Sequence, residues 1–216
     1  MRYSTRFYVP GLSVHIIRRG INRETIFRDD RDHLVFLKIL RDAATRFGLA
    51  VHGFVLMATH YHALATPGDC VALPHAMKEV GERYVRYFNR KYERIGTVWT
   101  GRYRAIPVDS AMYWLTCLRY IEQNPVRSNI VGSPEQYTWS SYRANALGES
   151  IDWLVEHPVM RELGNTADER QSGYRSLCHT SLTDKELVDQ ELALQSNHRA
   201  SARDQQQMPT FVSPAV

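Results

Sequence analysis

A chain of 216 residues with 44% hydrophobic and 11% aromatic residues can fill a proper core and is too apolar to be largely disordered. Its net charge of +4 is unevenly spread. Residues 1–143 hold 21 Lys+Arg against 12 Asp+Glu, and 18 of those 21 are arginine, whereas residues 144–216 hold 6 against 11. There is no apolar run of roughly 18 residues that would span a membrane. The basic N-terminus lacks the apolar stretch of a secretory signal. Cys70, Cys117 and Cys178 are too few and too scattered for a disulfide framework, which predicts a cytoplasmic setting. Arginine's planar fork matches phosphate oxygens, so the charge favours nucleic acid as the partner.

In chain order, LSVHIIRR (12–19) is β-rich and stops at Gly20, which predicts a strand and a turn. Asp29 or Asp30 caps a helix that carries Leu34, Leu37, Ile39, Leu40 and Ala44 and ends at Gly48. Residues 49–57 and 60–66 read as two strands paired across a tight turn at Ala58–Thr59. A long helix over 73–94 shows two stripes. Met77, Gly81, Tyr84, Phe88 and Tyr92 form a core stripe; Arg83, Arg86, Arg90 and Arg94, without interleaved acids, form a row that faces phosphate or solvent. A loop at Trp99–Arg102 leads to a fourth strand around 103–108. A helix over 111–124 follows, capped by Asp109 or Ser110 and ended by Pro125. Residues 126–146 are turn-rich with Trp139 and Tyr142 as anchors, 150–192 suggest short helices, and the last stretch is rich in Gln, Ser, Pro and Ala. The sparse alternation predicts an α+β fold: an antiparallel sheet of four to five strands with packed helices.

Two constellations carry chemistry. In His60-Tyr61-His62 on a strand, both imidazoles point to one face and can chelate a divalent ion, although two ordinary strand histidines would look the same. On the helix, Tyr120 and Asn124 are four residues apart and share a face. A tyrosine can attack phosphorus and store the cleaved bond as a phosphodiester, and an amide oxygen suits Mg²⁺ or Mn²⁺. A half-buried tyrosine can equally be packing.

Five runs in order, VHIIRRGINRETIF (14–27), LMATHYHALATP (56–67), GERYVRYFNRKYERIGTVWTGRYRAIPVDS (81–110), LRYIEQNPVRSNIV (118–131) and YTWSSYRANALG (137–148), resemble the single-tyrosine HUH transposases, most closely the REP-associated tyrosine transposases. The resemblance implies an HUH domain, here residues 1–146, with His60 and His62 on a central strand. A helical appendage (147–192) and a tail expected to be disordered (193–216) complete the chain. It implies that Tyr120 is the nucleophile and that His60, His62 and Asn124 hold Mg²⁺ or Mn²⁺. The partner is then single-stranded or hairpin DNA, cleaved and rejoined through a 5′-phosphotyrosine; no nucleotide cofactor is needed, and no Walker-type loop is present. Arg18, Arg19, Asn22 and Arg23 are expected to help read the hairpin. Arg83, Arg86 and Arg90 are expected to line the strand's path, and Arg102 and Arg104 flank Tyr103 in a pattern suited to phosphate contact and base stacking. The chain departs from the family at Ala58 and Thr59, where Pro and Asn are usual, and at Gln123, a commonly apolar position expected here to face solvent or DNA. Two rival readings are a non-catalytic DNA- or RNA-binding regulator, which would not need His60, His62, Tyr120 and Asn124 together, and a hydrolase using bound water, for which Tyr120 would be dispensable.

Overall fold

Strand β1 (Ser13–Arg19) sits between β3 (His60–Pro67) and β4 (Arg104–Val108), and β2 (Leu49–Met57) pairs on the far side of β3. The sheet order is β2-β3-β1-β4 and every pairing is antiparallel. The computed structural model describes residues 8–180, 182, 183 and 186–188, so the tail expected at 193–216 lies outside them. Among the described residues, no helix is long and apolar enough to cross a membrane.

Alternation along the strands sorts the molecule into two cores. Val14 and Ile16 face helices α1 (Asp30–Phe47) and α2 (Ala72–Lys91), where Phe36, Leu40, Tyr61, Met77, Tyr84 and Phe88 are buried. The other face carries Val55, Leu64 and Val108 and is covered by α3 (Ala111–Glu122) through Trp114, Leu118 and Ile121. Helix α1 begins and ends where its caps predict. The Asp29 carboxylate accepts from Asp32 N, and Gly48 turns left-handed. Fully buried Asp32 joins α1 to α2 by accepting from Lys91 Nζ at 2.7 Å, Tyr87 OH at 2.9 Å and Tyr92 OH at 2.7 Å.

Two helices end earlier than their periodicity suggests. Helix α2 stops at Lys91 because Glu93 adopts a left-handed backbone (φ 51°), so Arg94 leaves the helix and pairs with Glu24 at 3.0 Å. The helix expected over 111–124 divides at Gln123. Pro125, without an N–H, fits the first turn of a separate α4 (Asn124–Arg127).

Beyond it lie α5 (Tyr142–Leu147), α6 (Pro158–Arg161) and α7 (Ala167–His179), the last opened by a Thr166/Glu169 capping box. Tyr142, Ala146, Val159, Met160 and Tyr174 are buried with Trp114 and Leu118, and Val155 N donates to Val51 O at 2.8 Å. The segment expected as an appendage therefore shares a core with the sheet.

Candidate active site

The histidine pair falls where the β alternation puts it. His60 and His62 lie on the α3 side of β3 with ring centroids 5.1 Å apart. Each has its Nδ1 engaged, that of His60 by Thr59 Oγ1 at 3.1 Å and that of His62 by Nε2 of a third histidine, His15, at 2.8 Å. Both rings thus keep Nε2 for another partner. His15 was not singled out from the sequence. The β1–β3 register sets Ile17 opposite His62 and Leu64 opposite His15, which brings the two imidazoles together diagonally. Burial holds all three rings neutral. It lowers His15 to about 3 with help from Arg127, lowers His60 to about 4 with help from Arg19, and takes His62 well below the usual histidine range. Neutral imidazoles are the form that binds metal.

The turn before these histidines, Ala58–Thr59, is well held. Its carbonyls are fixed from outside: Gly20 N donates to Thr59 O, and Ile26 N to Ala58 O, each at 2.8 Å. Gly20 is required there, since a Cβ would come 2.5 Å from Glu24 O and 2.7 Å from Ile26 Cγ2.

Helix α3 brings Tyr120 to the same face. Burial of Trp114, Cys117, Leu118 and Ile121 fixes the helix's rotation, and the Tyr120 ring meets His15 and His62 edge-on, 6.1 Å from each. Tyr120 is only 9% exposed. The Arg127 guanidinium lies 4.1 Å over its ring, and Arg127 Nη2 donates to the Tyr120 carbonyl at 2.6 Å. Asn124 is buried at the start of α4, and its Oδ1 accepts from Ser128 Oγ at 3.4 Å. Among the described residues, no group of three His, Cys, Asp or Glu side chains is arranged to hold a metal ion. A divalent ion would therefore rest on the two Nε2 atoms and an oxygen donor, for which Asn124 is the protein's candidate.

The end of α3 is gripped from the C-terminal side. Buried Glu122 accepts from Ser141 Oγ (2.5 Å), Asn145 Nδ2 (2.8 Å) and Tyr174 OH (2.6 Å), and burial raises its carboxyl to about 7. Gln123, expected to face solvent or DNA, instead donates through Nε2 to Cys178 O at 2.6 Å. That hydrogen bond gives the polar side chain its partner.

The arginines divide between the two faces of the sheet. Arg19 lies opposite His60, and Arg104 lies opposite Ile17, so both are on the histidine face. Arg18 points the other way and, with Arg86 and Arg102, lines a cleft beside α2. Arg90 is exposed on α2. Asn22 and Arg23 are exposed in the turn after β1, both with left-handed backbones (φ 51° and 58°). The expectation of an acid-free arginine row along α2 needs correcting at Arg83, which pairs with Glu79 at 3.0 Å and with Asp42 of α1 at 3.1 Å. Tertiary contact supplies the acid that the row lacks, and this turns Arg83 toward α1.

Residues 8–124 match the model of one protein family, the IS200-like transposases. No curated protein matches the chain. Three solved structures are similar. One is a REP-associated tyrosine transposase bound to a REP hairpin, at 18% identity over 72% of this chain and 93% of that one, with a TM-score of 0.47. Another is described as a transposase from Deinococcus radiodurans R1, at 23% identity over 52% and 89%, with a TM-score of 0.40. A third is the tRNA(His) guanylyltransferase of Saccharomyces cerevisiae, at 9% identity over 84% of each chain, with a TM-score of 0.44.

Proposed function

From the premise that the chain belongs to the IS200-like transposases, we propose that it cleaves and rejoins single-stranded, hairpin-bearing DNA with Tyr120 as nucleophile. The observation that carries this reading is the meeting of the Tyr120 ring with the His15–His62 pair on one face of the sheet, flanked by Arg19, Arg104 and Arg127. The narrower assignment to REP-associated enzymes rests on the sequence resemblance.

In this mechanism the scissile phosphate lies between Tyr120 and the histidine Nε2 atoms. Arg19 and Arg104 hold its neighbouring phosphates by charge. The phenolic oxygen of Tyr120 forms a bond to phosphorus while the bond from phosphorus to the 3′ oxygen breaks. The phenolic proton passes to solvent, and the departing 3′ oxygen takes one up. Arg127 over the ring sets a positive charge beside the attacking side chain. The 5′-phosphotyrosine keeps the bond energy, so a second 3′-hydroxyl reverses the step and joins a new strand. His60, His62 and Asn124 fit Mg²⁺ or Mn²⁺ by their donor chemistry; when bound, such an ion supplies Lewis-acid charge to the phosphate oxygens. Arginine-rich surroundings favour unpaired strands and hairpins, whose bases and backbone are accessible.

The test is incubation of the protein, Mn²⁺ and labelled hairpin DNA with single-stranded flanks, followed by a denaturing gel. A covalent adduct is expected in the wild type and none in Tyr120→Phe, which removes only the hydroxyl. Cleavage by the Phe variant at a comparable rate would show that water, not Tyr120, is the nucleophile.

A further inference from the structure

Arg127 meets Tyr120 twice, at its carbonyl and at its ring, across a break in the helix. Seven residues apart on an unbroken α-helix, the two would share a face but stand about 10.5 Å apart along the axis. The break at Gln123 shortens that separation. Helix α4 starts afresh at Asn124. Its single turn is closed by Arg127 N donating to Gln123 O at 3.0 Å, Ser128 N to Asn124 O at 3.0 Å and Ile130 N to Pro125 O at 2.9 Å. Asn129, with a left-handed backbone (φ 54°), follows it. Gln123 fixes the break from the other side, through its bond to Cys178 O. The turn thus presents the half-buried Arg127 to the end of α3.

The first contact is with the backbone. Helix α3 ends at Glu122, so the carbonyl of Tyr120 is one of its last four, which side chains commonly serve at a helix C-terminus. Arg127 Nη2 donates to it at 2.6 Å, and the cation meets the negative end of the helix dipole there. The second contact is with the ring, whose centroid lies 4.1 Å from the guanidinium carbon. The imidazoles of His15 and His62 meet the same ring at 68° and 71°. A helical tyrosine has two common χ1 rotamers, near 180° and −60°. A guanidinium that covers the ring and grips the carbonyl of the same residue ties the side chain to its own backbone, and so to one of them. For a nucleophile this matters, because reacting atoms must stand about 3–3.5 Å apart and a misplacement of about 1 Å can cost a hundredfold in rate.

We propose that Arg127 is the positioning residue for the strand-cleaving step: its planar fork locks the Tyr120 ring against His15 and His62 before DNA arrives. This rests on the reading of Tyr120 as the nucleophile. It predicts that orientation, and not charge alone, is what Arg127 supplies.

The experiment uses the full chain with isotope-labelled tyrosine rings and the variants Arg127→Ala and Arg127→Lys, the second of which keeps the charge without the fork. Thermal melting checks that each is folded; if Arg127→Ala melts early, Arg127→Lys carries the same comparison. In the DNA-free protein, the Tyr120 ring signal in NMR is identified by its loss in Tyr120→Phe. It should be displaced by the two imidazoles in the wild type and move toward that of free tyrosine in both variants. With Mn²⁺ and labelled hairpin DNA in a single turnover, adduct formation should slow about a hundredfold in Arg127→Ala and about tenfold in Arg127→Lys, with hairpin affinity by anisotropy within about twofold of the wild type. Added ethylguanidinium should restore adduct formation to Arg127→Ala and not to Tyr120→Phe. A Tyr120 signal unchanged in Arg127→Ala overturns the proposal. So does a loss of hairpin affinity equal to the loss of rate, because Arg127 would then be a phosphate contact. A full wild-type rate in Arg127→Lys overturns it as well, because charge alone would then suffice. The two readings fail separately. A wild type that forms no adduct, while its ring signal still responds to Arg127, defeats Tyr120 as nucleophile; an adduct at the wild-type rate in Arg127→Ala defeats the positioning role.

Discussion

His15 is the residue whose removal tells most about the site. It fixes His62 through Nδ1 and leaves Nε2 for a ligand, the part that outer partners of metal-binding histidines commonly play. His15→Ala should weaken Mn²⁺ binding about tenfold or more in calorimetry, with the Tyr120 helix still in place, and His60→Ala should weaken it at least as much. Unchanged affinity in both variants would defeat the assignment. Because burial takes His60 to about 4, Mn²⁺ affinity should hold between pH 7 and 5, a range in which exposed imidazoles, with pKa near 6.5, lose theirs. That His60 and His62 share a face was legible in their spacing, whereas the place of Tyr120 beside them was implied only by the family resemblance. His15 was not legible, because its role depends on the register between two strands separated by 47 residues of chain. Arg83 was misread for the same kind of reason: its partner Asp42 belongs to another helix.

At the level of elements, caps and strand alternation located almost every boundary, and the exceptions are backbone events. Nothing local distinguishes Pro125 as a helix stop from Pro125 as a helix start, so the break at Gln123 became visible only in three dimensions. The turn joining β2 to β3 depends on a neighbour outside it. Gly20→Ala would push a Cβ against the backbone carbonyl of Glu24, which cannot swing away as a side chain does. A loss of about 1–3 kcal/mol is expected in urea unfolding, as for other overpacked sites. Mn²⁺ affinity should fall with it, since Gly20 N holds the Thr59 carbonyl beside His60. A variant with wild-type stability would show that the turn is less constrained than its contacts imply.

The whole molecule should become less stable in acid. His15, His52 and His60 stay neutral in the folded state down to about 3, 4 and 4, whereas the unfolded chain protonates them below about 6.5. More protons bind to the unfolded state in that window, so stability falls as pH drops through it. Glu122 acts with the opposite sign: raised to about 7 from 4.5, it binds its proton first in the folded state and favours folding as pH falls from about 7 to 4.5. The histidines outnumber it, and melting temperature should decline from pH 7 to 5. Glu122→Gln keeps the shape without the charge and should match or exceed wild-type stability near pH 8.5. Glu122→Ala leaves the buried Tyr174 hydroxyl without its acceptor, while Ser141 and Asn145 keep Phe54 O and His52 O, and should cost about 1–3 kcal/mol. All three donors, Ser141, Asn145 and Tyr174, lie outside the stretch 8–124 that defines the family. Chimaeras between relatives should therefore tolerate a crossover after α7 and fail to fold when cut at 124. The folding unit of this chain is longer than its family signature, because the helix that carries Tyr120 is finished by residues the signature leaves out.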